Sequence, residues 1–222
     1  MLTKNIVEMT RKKLFIAMAL ACLCSVVHAQ EKRIGYFAEG LFGPAFFTDK
    51  GLSVFGDSPQ SILYGSSGDM AINFTYTPKQ DERPAKYAVL FGAGYNQNSI
   101  LRSDYEKIKL HHINANLGIY LSKDIHRLEF TSNIGLALYN NETTLMENGK
   151  MKTVEFNTSG LSLGASMAYF VNVKGLQLGG GIRMHKDFFF DFDETFGSYA
   201  PYAKAENDIF SITPFIGLRI GM

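Results

Sequence analysis

Eight stretches of this chain alternate apolar and polar residues with a period of two. They span Ile34 to Phe47, Asp69 to Thr77, Lys86 to Asn96, Ile108 to Leu121, Ile125 to Tyr139, Phe156 to Val171, Gly175 to Lys186 and Asp208 to Met222. In the fifth, Leu128, Phe130, Ile134, Leu136 and Leu138 oppose Arg127, Glu129, Thr131, Asn133, Gly135 and Ala137. In the second, Met70, Ile72, Phe74 and Tyr76 oppose Ala71, Asn73, Thr75 and Thr77. A period of two places these sets on opposite faces of a strand. Strands of soluble proteins are mostly about 5–6 residues long. A strand tilted in a bilayer needs about 9–11, which is the length these patterns reach or exceed.

The composition of the two faces says which one meets lipid. Gly160, Ser162, Gly164 and Ser166 share the polar face of the sixth stretch, and Asn114, Asn116 and Gly118 that of the fourth. An eight-stranded interior is narrow and filled by side chains, so small polar residues suit it. The alternative is a soluble lipocalin-like barrel, whose apolar face would point inward around a ligand. The connections supply an orientation. Ser122–Asp124 and Asn172–Lys174 are short, and Pro78–Ala85 is somewhat longer. Thr48–Gly68, Gln97–Lys107, Asn140–Glu155 and Asp187–Asn207 are long. Short links belong on the periplasmic side and long ones outside. The expected fold is all-β: an eight-stranded antiparallel up-and-down transmembrane β-barrel in which strands one and eight are neighbours.

Residues 1–29 read as a cleavable signal peptide, leaving 30–222 as the barrel domain. Lys4, Arg11, Lys12 and Lys13 precede an apolar run from Leu14 to Val27, and Val27-His28-Ala29 supplies the small residues of a cleavage site. The run is shorter than the roughly 20 residues of a spanning helix. A lipoprotein reading through Cys22 is poorly matched by Ala19-Leu20-Ala21. Cys22 and Cys24 leave with the signal, so the mature domain is expected to have no thiol chemistry. Removing the signal's four basic residues and Glu8 leaves 22 − 4 = 18 basic and 21 − 1 = 20 acidic side chains. A nucleic-acid partner is not expected from that balance. Trp is absent, so any interfacial belt must be built from Tyr and Phe.

Charge on the lumen face selects the first candidate site. Glu39, Arg127, Glu129, Arg183 and Arg219 all carry the inward parity, and Glu39, Glu129 and Arg219 lie at similar depth. Charges in a narrow interior must be paired. The expectation is an interior network that plugs the lumen, with a gate or narrow ion path as the functional alternative. His111, His112, His126 and His185 are the histidines available for catalysis, but no His-x-Ser-Asn string occurs. His111 and His112 are adjacent in a strand and face opposite ways, which is unsuited to a metal. No catalytic, metal or cofactor residues are expected.

Two outer connections supply the remaining candidates. Around Asn148-Gly149, a favoured type I′ pair, strands five and six should continue as a ribbon from Thr144 to Val154. Such a ribbon is either a stiff loop or an edge for a partner strand. The fourth connection holds Phe188, Phe189, Phe190 and Phe192, followed by Phe196, Tyr199 and Tyr202. These aromatics would fold over the barrel mouth or meet a partner or the lipid surface. Asp191, Asp193 and Glu194 could bridge to lipopolysaccharide through divalent cations.

Strand number, loop alternation and the Thr144–Val154 ribbon together resemble the small eight-stranded outer-membrane barrels of the OmpX kind or the OmpA transmembrane-domain kind. Met222 departs from the aromatic residue on which many such chains finish, and no further domain is expected after strand eight. The resemblance implies a non-enzymatic, monomeric outer-membrane protein in contact with lipid and lipopolysaccharide. Its loops would engage an external partner or support the envelope. A narrow pore and a lipid A-modifying barrel enzyme are the alternatives.

Overall fold

The computed structural model describes residues 34–48, 62–78, 86–103, 106–147, 149–190 and 208–221. The export-signal residues and the acids Asp191, Asp193 and Glu194 lie outside these. The strands are β1 (Ile34–Thr48), β2 (Ile62–Tyr76), β3 (Lys86–Ser103), β4 (Glu106–Lys123), β5 (His126–Glu147), β6 (Lys150–Val173), β7 (Leu176–Phe189) and β8 (Asp208–Gly221). Each pairs antiparallel with the next, and β1 pairs with β8 from Phe37↔Gly221 to Phe47↔Ser211, which closes the ring. The fold is an eight-stranded antiparallel up-and-down barrel.

One end is closed by tight turns. Lys174 and Gly175 both have positive φ, 53° and 88°. That is the type I′ geometry that matches strand twist. Asp124, at φ 55°, begins the equivalent turn between β4 and β5. We call this the turn end, and the opposite one the ribbon end.

The outward residues form an apolar band. On β5 it runs from Leu128 to Leu138, ten steps of about 3.3 Å. A tilt near 40° reduces this to about 25 Å, the height of an outer-membrane barrel's lipid belt. Met70, Ile72, Leu117, Ile119, Ile134 and Ile216 are among its exposed members. Tyr36, Tyr76, Tyr87 and Tyr169 stand outward near the turn end, and Tyr64 and Tyr95 toward the ribbon end. Both interfacial positions therefore carry tyrosines.

The strands do not stop where the alternation read from sequence stops. β2 begins at Ile62 rather than Asp69, and β3 continues to Ser103 rather than ending at Asn96. The connection expected to be long at Gln97–Lys107 is residues 104–105 alone, and Asp187–Phe189 belong to β7 rather than to a loop. The physical reason is a chemical inversion at constant phase. Within the band, β4 turns Ile113, Leu117 and Ile119 outward and Asn114 inward. Above it, Lys107 and Lys109 face out while Ile108 and Leu110 are buried inside. Ala45, Phe47, Leu63, Ile100, Ile108, Leu110, Ala137, Tyr139, Phe156, Phe189 and Ile209 form one buried cluster there. This collar follows the rule of soluble proteins, largely apolar inside and polar outside, with Glu106, Asn141 and Thr143 buried in it as a hydrogen-bonded set.

Candidate functional site: a plugged lumen and a projecting ribbon

Three strands bring one arginine and two carboxylates together near the turn end. Register places Arg219 of β8 opposite Glu39 of β1. Its Nε donates to Glu39 Oε2 at 2.7 Å, and its two terminal nitrogens donate to both oxygens of Glu129 at 2.7 and 2.8 Å. The guanidinium also lies 3.7 Å from the Phe170 ring centroid and 4.6 Å from that of Phe37. Asn73 Nδ2 donates to Glu39 Oε1 at 3.0 Å. A planar fork suits this task, because one Arg satisfies two carboxylates with fixed geometry.

Arg127 and Arg183 stand apart from that triad. Arg127 donates to Gln177 Oε1 at 3.0 Å and lies over the Tyr120 ring at 4.0 Å. Arg183 pairs with Asp69, a residue that sequence reasoning left as the start of a strand. Beside the triad a cavity of about 10 Å³ is lined by Glu39, Asn73, Glu129, Arg219, Leu41 and Phe215 among others. That is room for about one water molecule.

Higher up, His112 bridges two strands inside the barrel. Its Nε2 is 2.9 Å from Asp187 Oδ2 and its Nδ1 3.1 Å from Asn96 Oδ1. The His185 ring lies beside it, with centroids 4.8 Å apart. Space for His185 comes from Gly164: a Cβ there would sit 2.2 Å from the imidazole Cδ2 and 2.3 Å from Asn133 Oδ1. Sequence reasoning missed this cluster because Asp187 was assigned to a loop. The parity of His112 and Asp187 was the available signal. Among the described residues, the remaining histidines face outward, His111 toward the Tyr95 hydroxyl at 2.6 Å and His126 toward that of Tyr169.

At the ribbon end β4 leaves β5 at Thr143 and β7 leaves β6 at Gly160. Among the described residues, β5 and β6 then pair only with each other, from Thr144↔Thr153 to Glu147↔Lys150. Gly149 has φ 74°, a conformation suited to glycine, at the tip. Met146 and Met151 are directly paired there and are 74% and 59% exposed. The aromatics of the fourth connection do not act as one group. Phe189 is buried in the collar, whereas Phe188 is 39% and Phe190 59% exposed. Asn148 and Phe192 lie outside the described residues.

No protein-family model and no curated protein sequence matches the chain. Solved structures do. Small eight-stranded outer-membrane barrels are what this chain is similar to. Neisserial surface protein A is 13% identical, covers 84% of this chain and 96% of its own, and superposes with a TM-score of 0.48. The attachment invasion locus protein Ail of Yersinia pestis is 9% identical, covering 86% and 100%, with a TM-score of 0.41. The N-terminal barrel domain of Pseudomonas aeruginosa OprF is 12% identical, covering 84% and 97%, with a TM-score of 0.38.

Proposed function

We propose that this is a non-enzymatic outer-membrane barrel, exported through a cleaved signal peptide, whose function is carried by its external surface. The turn end then faces the periplasm and the ribbon end the outside. The observation that carries the reading is a contrast within the molecule. Its lumen is occupied at three levels, by the Arg219 triad, by the His112–Asp187 layer and by the apolar collar. Its longest strands, β5 and β6, extend past their neighbours into water. A lumen filled in this way is a poor conduit, and a projecting ribbon with paired, exposed methionines is a suitable contact surface, since thioether side chains adapt to varied partners. The interior charges hold the barrel closed, and the ribbon and the exposed Phe190 meet an external partner. Contact with lipopolysaccharide follows from the location.

The test uses cells expressing the full chain beside a variant in which Thr144–Thr153 is replaced by an Asn-Gly turn. The variant is expected to insert and shift on unboiled gels while losing adhesion to immobilised serum proteins. Purified full-length protein is expected to be silent in planar bilayers. Unchanged adhesion together with discrete conductance, altered by Glu39→Gln, would replace this reading with a narrow pore.

A further inference from the structure

The wall made by β3 to β6 differs from a smooth lipid-facing surface. Across these strands Leu117, Ser132 and Ala165 stand directly opposite one another, and Val89, Ile119 and Phe130 lie on the adjacent row toward the turn end. These six line a shallow, open groove on the outer face. The two small residues make the depression, and the bulkier side chains make its rim. Gly118, Thr131 and Ser166 also line it. Their parity is inward, so the sheet itself forms the floor. The Ser132 hydroxyl donates to the Leu117 carbonyl at 3.2 Å. Its polarity is thereby satisfied within the sheet, and the groove presents an apolar surface.

The same strands end in a lysine and a histidine. Lys123 and His126 are directly paired, exposed, and of the outward parity. The Tyr169 hydroxyl engages His126 Nδ1, which leaves Nε2 to face a ligand. Lys174 is exposed in the neighbouring turn. Asp124, next to Lys123, is the acid of the same turn. From His126 to Ser132 the strand covers about 20 Å, or about 15 Å of depth at a tilt near 40°. That is half of a hydrocarbon core about 30 Å thick. A lipid whose phosphate rests at the turn-end rim would therefore bring the end of an acyl chain into the groove.

We propose that this wall binds one anionic phospholipid of the periplasmic leaflet, its acyl chain in the groove at Ser132 and Ala165 and its phosphodiester at Lys123 and His126. The occupant is a lipid because the groove lies inside the apolar band. It is anionic because Lys123, with Lys174 beside it, supplies the charge of the mouth. The choice of leaflet rests on the orientation proposed above.

Native mass spectrometry of the full-length protein in mild detergent tests this, with phosphatidylglycerol and phosphatidylethanolamine of equal chain length added in turn. One phosphatidylglycerol per barrel should be retained, at least about tenfold more than phosphatidylethanolamine. Ala165→Phe fills the groove and should lose retention of both. Ser132→Leu serves if the larger change prevents folding, as judged by gel shift on boiling. Lys123→Glu should lose the preference for phosphatidylglycerol, and Ile216→Phe on β8, across the barrel, should change nothing. Equal retention in the filled-groove variants would overturn the proposal. So would a mass of two chains without lipid, which would assign the groove to a second copy. Neither result touches the ribbon reading. Cleavage of the turn end by protease added to intact cells would overturn the orientation on which both depend.

Discussion

Two regions of one sheet solve opposite solvation problems without changing strand phase. In the lipid band, apolar residues point out, and the interior combines paired charges and amides with a small buried cluster of Leu41, Ala168, Phe170 and Phe215. In the collar, Ile108, Leu110 and Tyr139 point in, while Lys107, Lys109, Asn140 and Glu142 point out. The outside medium dictates the difference. Lipid accepts hydrocarbon and rejects charge, and water reverses both preferences. The interiors consequently differ in how they are held together. The band's lumen is organised around paired charges and amides, with a small apolar cluster beside them, and the collar mainly around buried apolar area.

Removing one partner from the charged interior should cost most. Arg219→Met leaves Glu39 and Glu129 buried without their cation, and breaking such a network costs about 3–5 kcal/mol. Urea unfolding in lipid vesicles should show a lower midpoint. An unchanged midpoint would mean that the triad contributes nothing to closure. The collar should fail by a different route. Leu110→Ala empties a fully buried apolar site and should cost about 2–5 kcal/mol. The loss should appear without any change in conductance, because the triad below stays intact. Smaller again is Gly164→Ala, which places a methyl against the His185 ring. Overpacking of this kind costs about 1–3 kcal/mol. If His185→Ala is introduced together with it, the combined loss should be smaller than the sum of the two, the Asn133 contact keeping part of the cost, and additive losses would show that the two do not share the space.

The band was the legible part of the fold. The outward run from Leu128 to Leu138 announces itself by period and chemistry together. The collar was hidden because a reader tracking one apolar face loses it where the medium changes. Ser99 and Lys107 then look like loop residues, although Ile100 and Ile108 continue the inward parity. Tight turns at Lys174-Gly175 and Asp124 fell near where short polar links stood. The meeting of Glu39 with Arg219 was accessible from closure of the first strand on the last. The Arg183–Asp69 and His112–Asp187 contacts were legible only as a shared inward parity, not as pairs. They join strands that are not neighbours, and their reach across the lumen depends on barrel shape rather than on any local pattern. The groove was illegible for a related reason, since Leu117, Ser132 and Ala165 come from three strands and only register aligns them.

The boundary between band and collar is the central structural claim, and a lysine scan along the outward face of β5 tests it most directly. Lysine at Ile134 should destabilise the folded barrel in vesicles by about 2–4 kcal/mol, and at Leu138 by about 0–1 kcal/mol. At Asn140 and Glu142, beyond the lipid, the effect should stay within about 0.5 kcal/mol. That decline over a few residues of one face is the predicted result. An equal cost at Ile134 and Asn140, or none at Ile134, would contradict it and place the bilayer elsewhere on the barrel.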